Sequence, residues 1–295
     1  MKILIVTGQG IGNMIMSTPL ILATAKLFQT KVDVLALPTW KKSVNILKHD
    51  CVSGLFENNT KFAWKYDLVF ETWWGGYGHN NKYDTKTLIK ANRPDYTKQH
   101  EIEHNMELVR RVGFKDETQK QYVYVEDVKT IANKKIIGIH SGSFKGVWQK
   151  KQWNKFSELI QKLIDKNYYV INFGTKEDSI NENIINKYWN AAGELTLQGT
   201  IDNIKNCNYF IANDSGLMHI ADALNIPLIA LFGGTLVTKN RPVNKHSHVL
   251  VGNMDCQPCQ YTQRFAECKE NKCLSNITVN HILNYMDKLN WTKNT

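Results

Sequence analysis

Apolar residues along this chain gather in short, mostly apolar stretches: Lys2 to Val6, Val32 to Leu37, Asp67 to Phe70, Ile136 to His140, Tyr168 to Phe173, Tyr209 to Ala212, and a run beginning after Pro227. Runs of this length, closed by glycine or polar turns, predict strands buried on both faces. Between them the apolar spacing becomes helical. Ser17 to Phe28, His100 to Val112 (Ile102, Met106 and Val109 on one face), Trp153 to Asp165, Ser179 to Trp189, and Asn276 to Leu289 are the predicted helices. Val123 to Val128 closes a first unit, and the charged stretch Lys129 to Lys135 is the best linker. Strands alternating with helices imply parallel sheets covered on both faces. The expectation is an α/β chain with two Rossmann-like domains and a central cleft: 1–130, 131–275, and a C-terminal helix within 276–295. In such sheets ligands bind at the carboxyl ends of the strands.

Composition narrows the field only slightly. With 295 residues, 42% hydrophobic, there is ample core for two domains. The apolar start is too short for a signal peptide, and no apolar run is expected to approach a membrane span. These features predict a soluble, cytoplasmic protein. The net charge of +10, mostly from lysine, favours anionic partners. It suits nucleotides, acidic glycolipids, or peripheral contact with the inner membrane leaflet. No dense basic run appears, so nucleic acid is not an expected partner.

The turns carry the candidate chemistry. Tyr209 to Phe232 reads as strand, turn Asn213-Asp214-Ser215-Gly216, helix, strand. Free backbone N–H groups and the positive end of the helix dipole meet at that turn, which makes an anion site. Gly216 permits close approach of a ligand, and His219 lies one turn in. A phosphate-bearing ligand fits. The first turn, Thr7 to Asn13, places glycines at 8, 10 and 12, which departs from the dinucleotide fingerprint, and no P-loop lysine follows. Asp33 falls inside a strand rather than at its end, as a ribose-binding acid would not. In Ser141 to Trp153, Lys145, Lys150 and Lys151 stand beside two tryptophans, where a lysine can neutralise a diphosphate. Gly174-Thr175 is a further turn of the same kind.

Beyond these local readings, N-D-S-G-x-x-H-x-A-x-A-L-x-x-P (Asn213 to Pro227) followed by A-L-F-G resembles the donor-binding signature of glycosyltransferase family 9, the heptosyltransferases of lipopolysaccharide assembly and their relatives. Gly10 to Leu20 is similar to that family's opening loop and helix. His100 to Leu108 resembles its mid-domain helix, Trp148 to Trp153 its donor-side turn, and Leu197 to Thr200 the segment before the signature. Cys256 to Cys259, with the later cysteines, resembles its C-terminal end. The resemblance implies a GT-B architecture and inverting sugar transfer without a catalytic metal or other cofactor. The donor would be a nucleotide-sugar, ADP-heptose being the best-known one. The acceptor would be a glycan, glycolipid, lipopolysaccharide or protein hydroxyl. By matching position it assigns Lys151, Thr200, Asp214, Ser215, Gly216 and His219 to the donor, and Gly10, Gly12 and Asn13 to the acceptor-side loop; Gly174, at its own strand-end turn, is expected on the donor side.

One position departs from the pattern. Many members carry aspartate where this chain has Asn13, and an amide cannot take a proton. Another group then serves as base, with Glu71, His79, His100 and Glu101 as candidates; or Asn13 only orients the acceptor while a weak base or water suffices; or the chain is a catalytically degenerate nucleotide-sugar-binding protein. Separately, Cys256-x2-Cys259-x8-Cys268-x4-Cys273 has metal-like spacing and suits a structural zinc or iron. Four reduced structural thiols are the alternative, and a disulfide is disfavoured in a reducing compartment.

Overall fold

The computed structural model describes residues 1–36, 43–57, 65–76, 83–126, 135–180 and 187–289. Two compact units emerge, Met1–Tyr124 and Val125–Thr295.

The first unit is built on β1 (Ile3–Thr7), β2 (Val32–Ala36), β3 (Val52–Glu57), β4 (Lys65–Glu71) and β5 (Asp84–Lys90). They form one sheet in the order β3-β2-β1-β4-β5. Every pairing is parallel. The second unit holds β6 (Ile136–His140), β7 (Tyr169–Asn172), β8 (Tyr188–Asn190), β9 (Tyr209–Asn213), β10 (Leu228–Phe232) and β11 (Ser247–Val251). Their order is β11-β10-β9-β6-β7-β8, again parallel throughout. Both sheets therefore follow the doubly-wound Rossmann pattern, as the two-domain α/β expectation required. In each, the chain lays its first strand in the middle, adds two strands to one side, then crosses to the other. The order reverses between β1 and β4 in one sheet and between β6 and β9 in the other.

Residue chemistry explains which strands lie inside. β1, β6, β9 and β10 carry almost only Ile, Leu, Val, Phe and Ala side chains, nearly all fully buried. Each such side chain contributes roughly 1.5–3 kcal/mol on burial. The inner strands match the predicted runs. β3, β5, β8 and β11 were not foreseen, and all four are sheet edges. An edge strand is covered on fewer sides, so it carries polar residues, as in Asp84-Thr85-Lys86-Thr87, and shows no apolar run.

Helices agree in place and differ at their ends. The first begins at Ile11, runs to Met16, and resumes as Thr18–Phe28 after Ser17. These 18 residues (mean hydropathy 1.3) are long and apolar enough to cross a membrane by length and composition, contrary to the sequence expectation. In the structure 61% of the stretch is buried within the fold, as a core helix is. Trp153 lies ahead of the helix Phe156–Asp165 rather than in it. The helix expected over Ser179 to Trp189 is formed at neither of its described ends: Ser179 is extended and Tyr188–Asn190 is a strand. Residues 181–186 lie outside the described residues, and Tyr188 and Trp189, good strand formers, pair with Val170 and Ile171 of β7. Of the linker stretch, 129–134 lies outside the described residues. In the second unit Phe156, Ile160 and Leu163 pack with Ile282, Leu283 and Met286 of the final helix, Val279–Lys288. The Trp153 indole donates to the Ile277 carbonyl at 2.8 Å.

Candidate functional site

In the second unit the chemistry collects at the carboxyl ends of β6 and β9, where the strand order reverses. Asn213, the last residue of β9, is fully buried. Its Oδ1 accepts from the Trp153 N–H at 3.1 Å, and its Nδ2 donates to the Ser141 carbonyl at 2.6 Å. One amide thus ties the turn after β9 to the turn after β6. Asp178 ties in the turn after β7. Its Oδ2 accepts from the N–H and hydroxyl of Thr175, both at 2.8 Å, completing a capping box. A Cβ at Gly142 would stand 2.1 Å from the Asp178 carboxylate, and one at Gly174, where φ is +154°, would stand 2.7 Å from it. The glycines at these two turns leave room for that carboxylate.

Next to Asn213, the buried Asp214 carboxylate meets Lys151 Nζ at 3.3 Å. Lys151 ends the one-turn helix Gly146–Lys151, and its ammonium lies 5.5 Å from the centre of the Trp148 ring. Burial by itself would raise the Asp214 carboxyl. The Lys151 and His219 charges outweigh burial and hold it below the usual carboxylate range. His140, at the end of β6, is pushed down by burial, and its Nδ1 meets the Phe173 carbonyl at 2.8 Å. Ser215 caps the helix Gly216–Ala223 in extended conformation, yet its hydroxyl bonds to no backbone N–H. That hydroxyl is buried and, among the described residues, without a partner. A helix N-terminus with free N–H groups, an unsatisfied buried hydroxyl and an adjacent ammonium is equipped to hold an anion. His219 is buried one turn in. Thr200 is buried in the helix Leu197–Ile204, which packs on the helix Gly216–Ala223.

The first unit presents its own loop after β1. Gly10 adopts φ +85° and opens the helix that holds Gly12 and Asn13. The Asn13 amide donates to the Gln9 carbonyl at 2.7 Å and so closes the loop on itself. A Cβ at Gly8 would meet Trp74 Cβ at 2.1 Å, so the turn Trp73–Gly76 after β4 lies directly on the glycine loop. Glu71 is buried at the end of β4 and pairs with Lys90 at 3.1 Å. His100 caps the helix Glu101–Arg110, its Nδ1 accepting from the Ile102 N–H at 3.1 Å. Glu101 is buried and accepts from Trp74 Nε1 at 3.0 Å. Asp33 sits inside β2 and accepts from Ser53 and Tyr66 hydroxyls, a strand-to-strand role. His79 lies outside the described residues.

All four C-terminal cysteines are free thiols. Burial pushes the Cys259 and Cys273 thiols up, and the neighbouring thiols add to it. The cysteine segment closes over the end of β10: a Cβ at Gly234 would lie 2.7 Å from Cys259 Sγ, and one at Gly233 would lie 3.1 Å from Cys273 Sγ. Its Phe265 and Tyr261 rings pack on Trp148 at 5.6 and 6.3 Å. Among the described residues no set of three Cys, His, Asp or Glu side chains stands in metal-ligand arrangement.

Sequence reasoning singled out neither Asp178 nor the Trp148–Lys151 contact as site features. The spacing Thr175-x-x-Asp178 was a legible capping signal; the ring-to-ammonium contact had none.

The sequence profile of glycosyltransferase family 9 (heptosyltransferase) matches residues 72–270. Among curated proteins, a lipooligosaccharide heptosyltransferase 2 from Haemophilus ducreyi is 31% identical over 143 residues, covering 45% of this chain and 41% of that protein. The match thus spans about two fifths of that relative's length. Among solved structures, the ADP-heptose lipopolysaccharide heptosyltransferase II of Escherichia coli superposes with TM-score 0.75 at 20% identity, covering all of both chains. A glycosyl transferase family 9 protein from Veillonella parvula gives TM-score 0.76 at 18% identity, covering 98% of this chain and 96% of that one. At these identities the likeness establishes the fold, the GT-B type.

Proposed function

The chain belongs to glycosyltransferase family 9, and on that premise we propose that it is an inverting, metal-independent glycosyltransferase. It moves a sugar from a nucleoside-diphosphate sugar to a hydroxyl of a glycan, lipopolysaccharide or protein. The relatives' names point to a heptose carried on ADP as the donor. The observation that carries the reading is the turn after β9. There a buried, unpartnered Ser215 hydroxyl, the N-terminus of Gly216–Ala223 and the Lys151–Asp214 pair converge.

Departure of the diphosphate builds negative charge on the leaving oxygen. Preorganised donors aimed at that charge lower the barrier without reorganising. In this reading Ser215, Gly216 and the helix dipole receive the phosphates. Lys151, held by Asp214 and Trp148, adds positive charge, and His219, Gly174 and Thr200 shape the donor side. Gly10, Gly12 and Asn13 receive the acceptor. The enzyme works in the cytoplasm, and its excess of lysine supports docking on the anionic inner leaflet. We further assign Cys256, Cys259, Cys268 and Cys273 a structural zinc or iron, supported by their spacing in the sequence.

Thermal melting with nucleotides tests the donor site. ADP raises the melting temperature, and Ser215→Ala weakens ADP binding about tenfold, the worth of one charge-assisted hydrogen bond. Because the hydroxyl has no partner in the free protein, the same change leaves ligand-free stability within about 0.5 kcal/mol. Melting unmoved by ADP, GDP and UDP alike sinks the reading.

A further inference from the structure

The helix Glu101–Arg110 buries a polar face that its apolar stripe does not explain. Glu101, His104 and Asn105 are each 2% exposed or less. Asn105 Nδ2 donates to the Met16 carbonyl at 3.3 Å, while its Oδ1 is buried and unpartnered. Helices that follow parallel strands all run antiparallel to those strands, and so parallel to one another. One turn back from Met16 lies Gly12–Asn13, and one turn back from Asn105 lies Glu101. The amino end of the helix Glu101–Arg110 therefore lies at the level of the acceptor-side loop, the two helices being in contact. Trp74 fixes the same placement independently: its Cβ presses on Gly8 and its indole donates to Glu101 at 3.0 Å.

Resting on the transferase reading above, we propose that Glu101 is the general base, taking the acceptor proton that an amide at position 13 cannot take. Of the candidates named from the sequence, those among the described residues other than Glu101 are engaged elsewhere. Glu71 is neutralised by Lys90, the His100 Nδ1 lone pair caps its helix, and the Asn13 amide staples Gln9. Among the described residues, the partner of Glu101 is the neutral indole alone. As the acceptor oxygen bonds to the anomeric carbon, its proton passes to Glu101. The bond from that carbon to the diphosphate breaks, and the electron pair leaves on the phosphate oxygen. Glu101 then returns the proton to solvent.

The test measures transfer from ADP-heptose together with the ADP-induced melting shift. Glu101→Gln keeps the side-chain shape and an oxygen for the indole, and is expected to lower kcat at least a hundredfold with the melting shift intact. Adding Asn13→Asp to that variant is expected to recover at least tenfold, because a carboxylate returns on the adjacent turn. A purely structural role for Glu101 predicts no such rescue. Glu101→Asp, which keeps a carboxylate, is expected to exceed Glu101→Gln and stands in for it if the latter misfolds. Activity of Glu101→Gln within threefold of wild type, or absence of rescue by Asn13→Asp, overturns the proposal. A wild type that binds ADP but transfers from no donor overturns the transferase reading itself, and this one with it.

Discussion

Asp214 is ionised inside the second unit because Lys151 stands beside it, and neither charge is at home there alone. The pair lies 3.3 Å apart with side-chain exposures of 14% and 3%. Removing one partner of such a pair leaves the other buried and uncompensated, which costs about 3–5 kcal/mol. Lys151→Ala is therefore expected to lower the unfolding free energy by that order, as read from urea titration, beyond any loss of donor binding. The pH dependence follows from the direction of the Asp214 shift. Its carboxyl is held down in the folded state, so the stability it supplies is present above the ordinary carboxylate range, near pH 4. That stability is lost as pH falls through the folded-state value. In Lys151→Ala this acid-limb loss should shrink, as seen in urea titrations between pH 3 and 7. The Asp214-Ser215-Gly216 turn was legible because strand and helix signals flank it. Trp148 beneath Lys151 was not, since a ring three positions away declares no contact until the one-turn helix forms.

At the scale of elements, inner strands announced themselves and edge strands did not. Val32 to Ala36 reads as a strand because every side chain is buried, whereas Asp84 to Lys90 mixes charge and threonine at an exposed edge. The same limit applies to the cysteine segment. Its spacing suggested a metal knuckle, and the structure adds what the segment does: it covers Gly233 and Gly234 at the end of β10 and props Trp148 through Phe265. If the four thiols take a metal, the purified protein carries close to one zinc or iron per chain by elemental analysis. Chelation then lowers the melting temperature, and Cys259→Ser abolishes loading. Metal-free protein with four readily titrated thiols and unchanged melting after chelation would leave packing alone to hold the segment.

At the scale of the molecule, two units with separate sheets and cores share one chain. Calorimetry is expected to resolve two contributions, with ADP moving only that of the second unit. At a hundred times its Kd a ligand adds about 2.7 kcal/mol, which for a unit of this size raises its transition by roughly 5–10 °C. Equal shifts in both would place nucleotide contacts in the first unit as well. The sequence by itself determined the α/β class, the two-fold repeat of the strand–turn–helix rhythm, the inner strands and the donor turn. Burial periodicity and turn chemistry are local, and a single stretch of chain displays them. Only the tertiary structure decided the strand orders, which set the turns after β1 and β4, and after β6 and β9, side by side at the reversal points. Only it brought Trp74 onto Gly8 and the Trp74 indole onto Glu101, residues far apart along the chain. Pairing of distant strands and parallel packing of helices depend on the summed burial of whole faces, which no short segment encodes.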